Sequence, residues 1–458
     1  MGKKGEKSRV NLREIVLDAL LSIERGEAYS HVVIGGVLDK YNYLEIREKA
    51  FIKRLTEGTL ERRLELDYCI NTVSSVPTPE MKPLIRELLR MSAYQILFMD
   101  AVPDSAVCNE AVKLAGRRGF GALQGFVNGV LRGLCRKKGQ IPWPDREKER
   151  LSWLSVRYSM PKWLIEKWDR EQGTGKTEAI LSGLLKERPV AIRLRGDMKE
   201  QEREALRMEL EQSGIRVRQE RDLACAWYLE KTEGMRAIPS FVEGRFTVQD
   251  ISSMLAVEAA GIRPGDYVMD LCAAPGGKAL LAAERTGPEG TVLAGDINGM
   301  RLALVKEAAE RMGLKNITER QWDAGVMDES KREAADVVLA DVPCSGLGVI
   351  GRKRDIKYRI TREAIEKLLP LQRGILKQAW QYVKPGGVLL YSTCTISRAE
   401  NEDMRAWFLQ HFPFHEESLA PYLPPAFRTE SAQQGYVQLL PGIHGTDGFF
   451  MARLIRDE

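Results

Sequence analysis

Apolar residues recur at intervals of three and four over the first 140 positions of the chain. One stripe runs through Leu12, Val16 and Ile23, and this spacing is typical of a helix that buries one face. Asn11 stands just before the stripe, where its side chain can cap the first turn. Because strand-like alternation is scarce there, the pattern predicts an all-α bundle over residues 1–140.

The hydrophobic pattern becomes mixed after a proline-rich segment at 141–144. Apolar runs near 190–194 and 227–229 have the length and composition of strands. A charged stretch with helical spacing lies between them, over 198–212. We therefore predict a linker and a small α+β module over residues 141–245.

From residue 246 onward, short apolar runs alternate with helical stretches in a regular order. The predicted helices are 299–312 and 361–383, and the predicted strands are Tyr267–Ala273, Thr291–Asp296, Ala335–Ala340 and Gly387–Ser392. The third of these strands is apolar at nearly every position, as expected where helices cover both faces of a sheet. This order is typical of a doubly wound, Rossmann-like α/β domain, which we place at residues 246–458.

Composition narrows the class of protein further. Hydrophobic residues make up 44% of the 458 positions and charged residues 29%, which is an ordinary globular mixture. No run of about 18 apolar residues predicts a membrane-spanning helix, and no secretory signal follows the N-terminus. Seven cysteines without a C-x-x-C pair, and only four histidines, favour neither a disulfide framework nor a zinc site. We expect reduced thiols, a cytoplasmic location and no metal.

The net charge of +5 is unevenly distributed along the chain. Residues 1–140 carry 23 basic and 17 acidic side chains, whereas residues 246–458 carry 25 basic and 28 acidic ones. A positive surplus at the front of the chain suits a phosphate-rich partner. The solvated faces of ordinary helices explain the same surplus, so charge alone leaves both interpretations open.

The most specific motif runs from Asp270 to Lys278, with the sequence Asp-Leu-Cys-Ala-Ala-Pro-Gly-Gly-Lys. It follows a predicted strand and opens a helix, and its glycines allow the backbone to approach a ligand closely. Asp296 ends the next strand, where a carboxylate can accept hydrogen bonds from ribose hydroxyls. The motif therefore predicts a nucleoside-type cofactor.

Two other cofactor classes fit this loop poorly. A nicotinamide site needs the pattern G-x-G-x-x-G, and a phosphate-binding loop needs glycine and a hydroxyl residue where this chain has Cys272 and Ala279. The string Gly173–Thr177 also looks like a phosphate loop, but a predicted helix rather than a strand precedes it. A glycine loop with an acid at the next strand end, and no phosphate cradle, favours S-adenosyl-L-methionine.

Two further motifs each place a cysteine just beyond a predicted strand. Asp341–Gly348 contains Cys344, and Tyr391–Thr395 contains Cys394. A lone cysteine is most often a small buried hydrophobic residue. Two of them at the ligand edge of one sheet instead indicate a chemical role.

These stretches resemble the RNA (cytosine-5) methyltransferases, and the whole chain resembles the Sun/Fmu (RsmB) family of bacterial 16S ribosomal RNA cytosine-5 methyltransferases. The N-terminal helices resemble the NusB-like RNA-binding domain of that family. The matching stretches are Asp270–Lys278, Asp296, Asp323, Asp341–Gly348, Ser392–Thr395, Val248–Ser253, Asp355–Arg359 and Asp447–Phe450.

The resemblance implies a set of site residues. Those expected to contact the cofactor are Cys272, Ala273, Ala274, Pro275, Gly276, Gly277, Lys278, Asp296, Asp323 and Asp341. It also implies that Cys394 is the nucleophile and that Cys344 assists product release. DNA cytosine-5 methyltransferases attack with the Pro-Cys cysteine, so the reverse assignment is the alternative.

The chemistry explains why such groups are needed. A thiolate that adds to C6 of cytosine makes C5 nucleophilic, which replaces one hard step by two easier ones. We expect Asp341 to act as an acid near N3, and Lys278 either to support the thiolate or to be an exposed lysine at a helix start. The basic run 352–354 is a candidate RNA contact or a solvated loop.

The expected partner is 16S ribosomal RNA, bound by a monomeric enzyme. Two alternatives stay open: the same chemistry on transfer RNA or another RNA, and an RNA-binding assembly factor without activity. The paired thiols argue against the second alternative, because a protein that only binds RNA does not need them.

Overall fold

The computed structural model describes residues 10–186, 188–232 and 235–458. It divides into two compact units, which we name the helical unit (Met1–Leu181 with Arg352–Arg359) and the sheet unit (Ser182–Gly351 with Ile360–Glu458). No sequence pattern predicted that residues 352–359 belong with the N-terminal helices. The domain boundaries drawn at 140 and 245 stay predictions.

The α-helices are numbered in chain order. They are α1 Leu12–Glu24, α2 Ser30–Lys40, α3 Ile46–Glu61, α4 Arg63–Asn71, α5 Pro83–Phe98, α6 Asp104–Arg117, α7 Gln124–Lys137, α8 Arg150–Arg157, α9 Lys162–Gln172, α10 Thr174–Leu185, α11 Glu200–Gln212, α12 Pro239–Val242, α13 Ile251–Ala260, α14 Gly277–Thr286, α15 Gly299–Met312, α16 Ile356–Arg359, α17 Arg362–Tyr382 and α18 Glu402–His411.

The strands are numbered in the same way. They are β1 Val190–Leu194, β2 Arg216–Gln219, β3 Ala226–Glu230, β4 Phe246–Val248, β5 Tyr267–Asp270, β6 Thr291–Asp296, β7 Ile317–Gln321, β8 Ala335–Asp341, β9 Val383–Thr393, β10 Phe414–Glu416, β11 Tyr436–Leu439 and β12 Phe449–Arg456.

The helical unit confirms the predicted all-α architecture. Asn11 caps α1 as expected, since its side-chain oxygen accepts from the backbone N–H groups of Arg13 and Glu14 at 3.0 and 3.2 Å. The stripe on α1 is buried in one core with α3, α5, α6 and α7, where each fully buried aliphatic side chain contributes roughly 1.5–3 kcal/mol. Gly173 separates α9 from α10, so no strand precedes the string 173–177 and it is not a phosphate loop.

Helices α8 and α9 of the predicted segment 141–245 lie in the helical unit, and the sheet unit contains the rest of the predicted small α+β module. Its four strands are antiparallel in the order β2-β3-β1-β4. Leu206 and Leu210 of α11 are buried in one core with Ile192 and Trp227 of the sheet. The strand β4 was not predicted, because it has only three residues.

The large sheet has the order β10-β12-β9-β8-β5-β6-β7, with β11 paired to β12. The strands β9, β8, β5, β6 and β7 are parallel, and β12 is antiparallel to β9. Alternate residues of β8 are buried in different cores: Val337 and Leu339 lie with α13 and α14, whereas Val338 and Ala340 lie with α17 and α18. This two-sided burial confirms the α/β prediction and explains why the central positions 337–340 of β8 are all apolar.

Candidate active site

The carboxyl ends of four parallel strands carry the predicted site residues. The loop from Asp270 to Gly277 follows β5, Asp296 ends β6, Asp341 ends β8, and Cys394 directly follows β9. Register places Asp270 beside Leu339, and Asp341 beside Ser392. Residues far apart in the sequence therefore meet at one edge of the sheet, which is where ligands bind in such folds.

The glycine loop is held against the neighbouring strand. Ala273 donates its backbone N–H to the carbonyl of Gly295 on β6 at 2.8 Å. Gly276 has φ +110°, and a Cβ there would meet Val305 at 3.3 Å. Only glycine adopts this conformation without strain, so the turn brings the first residue of α14 to the ligand edge.

Asp296 is oriented by its own backbone surroundings. Its carboxylate is 4% exposed and accepts from the N–H groups of Ala274 and Asn298 at 3.2 and 2.9 Å. Arg301 Nη1 lies 3.6 Å away. Asp323 lies in the loop after β7, is exposed, and accepts from the N–H of Gly325 at 2.8 Å.

Two buried polar atoms beside the glycine loop lack a hydrogen-bond partner. They are Oδ2 of Asp270 and Nε2 of Gln249; the Gln249 amide would lie 3.7 Å from a Cβ on Gly277. Burial raises the pKa of Asp270 to about 7, against the opposing charge of Lys278. Native proteins seldom leave such groups unpaired, so the loop fits a polar ligand such as S-adenosyl-L-methionine.

The two cysteines from separate motifs meet at this edge. The Sγ atoms of Cys344 and Cys394 are 3.4 Å apart, and both residues are partly buried. The hydrogen bond to Cys394 and burial together raise the pKa of Cys344 well above that of an ordinary thiol. Cys344 therefore holds its proton more strongly than an ordinary thiol, and either sulfur atom can be the donor in this contact.

Lys278 is not an exposed lysine at a helix start, because its side chain is only 11% exposed. Its Nζ lies 2.6 Å from Oδ2 of Asp341, whose Oδ1 accepts from Ser392 Oγ at 3.0 Å. Burial lowers the pKa of Lys278, but Asp341 and, more weakly, Asp270 and Cys394 outweigh that effect and raise it. The lysine therefore stays charged beside the thiols.

Two further polar residues at the site gave no signal in the sequence. Glu400 and Asn401 are completely buried behind the two cysteines. A polar residue in a short 3₁₀ turn is usually exposed. Recognising that these two are buried requires knowing that other parts of the fold cover the turn. Local sequence patterns do not carry that information.

The basic run at 352–354, predicted to be either an RNA contact or a solvated loop, lies against α3. Arg354 faces Glu57 and Glu61 of α3, at 3.4 and 3.8 Å. Within the helical unit, Lys357 donates to the carbonyl of Glu61 at 2.8 Å, and burial lowers the pKa of Lys357 to about 7. This segment therefore packs into the helical unit rather than forming a solvated loop, and in the run only Lys353 is fully exposed.

Within residues 10–186, 188–232 and 235–458, no group of three or more His, Cys, Asp or Glu side chains could hold a metal ion. Over the same described residues, no helix is long and apolar enough to cross a membrane.

Comparison with known proteins matches both units. A family model described as 16S rRNA methyltransferase RsmB/F matches residues 259–455, and the NusB family model matches residues 10–136. The solved structure of PH0851 superposes with a TM-score of 0.81 at 26% identity, covering 99% of this chain and 100% of that one.

Curated relatives match over nearly their full length. The probable ribosomal RNA small subunit methyltransferase B of Bacillus subtilis (strain 168) is 35% identical over 97% of this chain and 99% of its own. The ribosomal RNA small subunit methyltransferase B of Salmonella enteritidis is 32% identical over 98% and 100% of the two chains. The chain therefore belongs to the RsmB family of ribosomal RNA small subunit methyltransferases, and its cofactor is S-adenosyl-L-methionine.

Proposed function

We propose that this methyltransferase modifies C5 of a cytosine in 16S ribosomal RNA through a covalent bond between Cys394 and C6. The observation that carries the proposal is the pair of thiols 3.4 Å apart at the cofactor edge of the sheet. An enzyme that methylates an oxygen or an exocyclic nitrogen does not need a second thiol there. A monomeric state, a cytoplasmic location and the absence of a metal stay predictions.

The electronic demand of the reaction explains the nucleophile. C5 of cytosine is a weak nucleophile until a thiolate adds to C6, which places the electron pair of the C5–C6 double bond on C5. S-adenosyl-L-methionine supplies the electrophilic methyl group on its sulfonium sulfur. The sulfur of Cys394 is therefore needed before methyl transfer and must be released after it.

The raised pKa of Cys344 favours Cys394 as the attacking group. An ordinary thiol, with a pKa of about 8.5, is only a few per cent thiolate near neutrality. The proton that Cys344 retains stabilises negative charge on Cys394, and the charged Lys278 adds to that effect. The reverse assignment requires ionisation of the thiol whose pKa is raised.

The pair formed by Lys278 and Asp341 supplies the hydrogen bond that the pyrimidine ring needs. Attack at C6 builds negative charge toward N3 and O2, so a proton shared at N3 lowers the barrier. Asp341 accepts from Lys278 Nζ at Oδ2 and from Ser392 Oγ at Oδ1. With the base bound, a protonated Asp341 shares its proton with N3, while Lys278 stays charged beside it.

Release of the product reverses the covalent step. The C5 proton leaves to a base, its bonding electrons restore the C5–C6 double bond, and the electrons of the C6–S bond return to Cys394. Cys344 is placed to donate its proton to that departing sulfur, because the two sulfur atoms are within hydrogen-bonding distance. Removal of the Cys344 thiol should therefore trap the adduct rather than prevent it.

The trapped adduct gives a direct test. Purified Cys344→Ala protein is incubated with S-adenosyl-L-methionine and unmethylated 16S RNA, then run on denaturing electrophoresis. We expect an RNA–protein band that Cys394→Ala and the double variant do not form. Cys225→Ala, which removes a partly buried thiol of the small α+β module, serves as the matched control and should turn over without an adduct.

Mass spectrometry of nuclease-digested RNA identifies the product. We expect 5-methylcytosine in 16S RNA incubated with the wild-type protein and none with Cys394→Ala. Methylation of transfer RNA in preference to 16S RNA would favour the first alternative target. RNA binding without any transfer would favour an assembly factor, and methyl incorporation by Cys394→Ala would rule out this nucleophile.

A further inference from the structure

The residues that directly follow the two cysteines are bonded to each other. Ser345 Oγ and Thr395 Oγ1 lie 2.7 Å apart, and both side chains are buried. Each hydroxyl stands one position beyond its cysteine, so this bond fixes the spacing of the two loops that carry the thiols.

Glu400 is connected by hydrogen bonds to the residues on both sides of Cys344. Its Oε1 accepts from the backbone N–H of Ser345 at 2.8 Å, and its Oε2 accepts from Ser345 Oγ at 2.6 Å. Gln372 Nε2 donates both to Glu400 Oε1 at 3.1 Å and to the carbonyl of Pro343 at 3.0 Å. The positions before and after Cys344 are therefore both tied to one buried carboxylate.

Asn401, the next residue, forms hydrogen bonds with the residues on both sides of Cys394. Its Oδ1 accepts from Thr393 Oγ1 at 2.6 Å, and its Nδ2 donates to the carbonyl of Thr395 at 3.1 Å. Glu400 and Asn401 have no exposed surface. The side-chain polar atoms of Glu400 and Asn401 all have partners, whereas Oε1 of Gln372 has none. Satisfied buried hydrogen bonds make such a turn rigid, and reacting groups depend on this support, because a misplacement of about 1 Å can cost 10²-fold in rate.

We propose that Glu400 and Asn401 are positioning residues that hold the thiols of Cys344 and Cys394 at hydrogen-bonding distance, and so determine whether the covalent intermediate is released. The inference rests on the proposed function for its catalytic consequence, but not for its geometric one. The negative charge of Glu400 also raises the pKa of Cys344, which keeps on that thiol the proton needed for release.

Thiol oxidation measures the geometry without any catalysis. Diamide takes two electrons and two protons from a pair of neighbouring thiols, which become a disulfide while the diazene becomes a hydrazine. Peptide mapping then follows disulfide formation between residues 344 and 394. Cys108 and Cys135 of the helical unit, whose sulfur atoms are 4.0 Å apart, provide an internal reference in the same protein.

The most informative variants form an isosteric pair at Thr395. Thr395→Val removes the hydroxyl with little change of shape, whereas Thr395→Ser keeps the hydroxyl. We expect oxidation of the 344–394 pair to slow at least tenfold in Thr395→Val, Glu400→Gln and Asn401→Ala, and Thr395→Ser to retain the wild-type rate. The 108–135 pair should oxidise at the wild-type rate in all four variants, and thermal unfolding of each variant verifies that its sheet unit is folded.

Turnover with RNA gives the second readout. We expect Glu400→Gln to lower kcat at least tenfold with little change in KM, and to accumulate the RNA adduct that Cys344→Ala forms. Unchanged oxidation and unchanged adduct in Glu400→Gln and Asn401→Ala would overturn the inference. A different outcome separates the two proposals: oxidation slows in Glu400→Gln and Asn401→Ala, but Cys344→Ala forms no RNA adduct. That outcome would support the positioning role and contradict the covalent mechanism.

Discussion

Lys278 and Asp341 form a largely buried ion pair, with 2.6 Å between Nζ and Oδ2. One partner is in the first turn of α14, directly after the glycine loop, and the other ends β8, three residues before Cys344. The pair therefore joins the cofactor loop to the cysteine loop. The charge of Lys278 also interacts electrostatically with Cys394.

Replacement of the lysine should damage both stability and catalysis. Lys278→Met leaves the Asp341 carboxylate without its cation, which for a buried pair costs about 3–5 kcal/mol. We expect a lower unfolding temperature and a loss of about 10²-fold or more in the single-turnover rate of methyl transfer. Lys278→Arg, which keeps the charge, should unfold close to the wild-type temperature; a wild-type rate for Lys278→Met would contradict its role.

Asp270 should make stability depend on pH. Burial raises its pKa to about 7 in the folded protein, compared with about 3.9 in an unfolded chain. The folded state then binds the extra proton between these values, so this group lowers the free energy of unfolding as pH rises from about 4 to about 7. Above that range its contribution is constant.

Asp270→Asn removes that dependence, because an amide does not ionise. We expect the variant to gain stability relative to the wild type as pH rises from 4 to 7, with a constant difference above pH 7. Thermal unfolding of both apo proteins over pH 4.5–8.5 measures the difference. Parallel pH profiles would show that the Asp270 pKa is ordinary.

The sequence predicted the loops of this site better than their supports. A local pattern identifies Gly276, Gly277 and the two cysteines, because each lies just after a buried strand. The pairing of Lys278 with Asp341 spans 63 positions and is set by sheet register. Glu400 and Asn401 were missed, since no local pattern tells that a polar turn is covered.

The missed strands have equally simple physical reasons. The edge strand β7 has the sequence Ile-Thr-Glu-Arg-Gln and is mostly exposed, so it lacks the apolar run that marks β8. The strands β10–β12 follow the last βα repeat and pair antiparallel, outside the alternation used for prediction.

Asp296 should control cofactor affinity more than Asp323. Asp296 is buried and held by two backbone N–H groups, whereas Asp323 is exposed. Hydrogen bonds to a charged group contribute about 1.5–3 kcal/mol, so Asp296→Asn should weaken S-adenosyl-L-methionine binding about 10- to 100-fold. Titration calorimetry of the two aspartate-to-asparagine variants measures the contrast. Equal effects would contradict the distinction.

Asp355 should stabilise the helical unit from a distant part of the chain. Its Oδ2 and Oδ1 accept from the N–H and the hydroxyl of Ser30, the first residue of α2, at 3.0 and 2.5 Å. Arg359, paired with Asp355 at 2.9 Å, also donates to the carbonyl of Ile23 at 3.0 Å. Asp355 and Arg359 therefore form hydrogen bonds with both ends of the turn between α1 and α2.

Loss of this cap should be visible at α2 itself. An Asp355→Ala substitution leaves the N–H of Ser30 without its acceptor, and loss of a helix cap costs about 0.5–2 kcal/mol. We expect faster hydrogen exchange in the first turns of α2, with unchanged exchange in the strands of the sheet unit. Lys353→Ala, which alters an exposed neighbour, is the matched control and should leave α2 protected. Equal exchange of α2 in both variants would show that the segment 352–359 does not stabilise this helix.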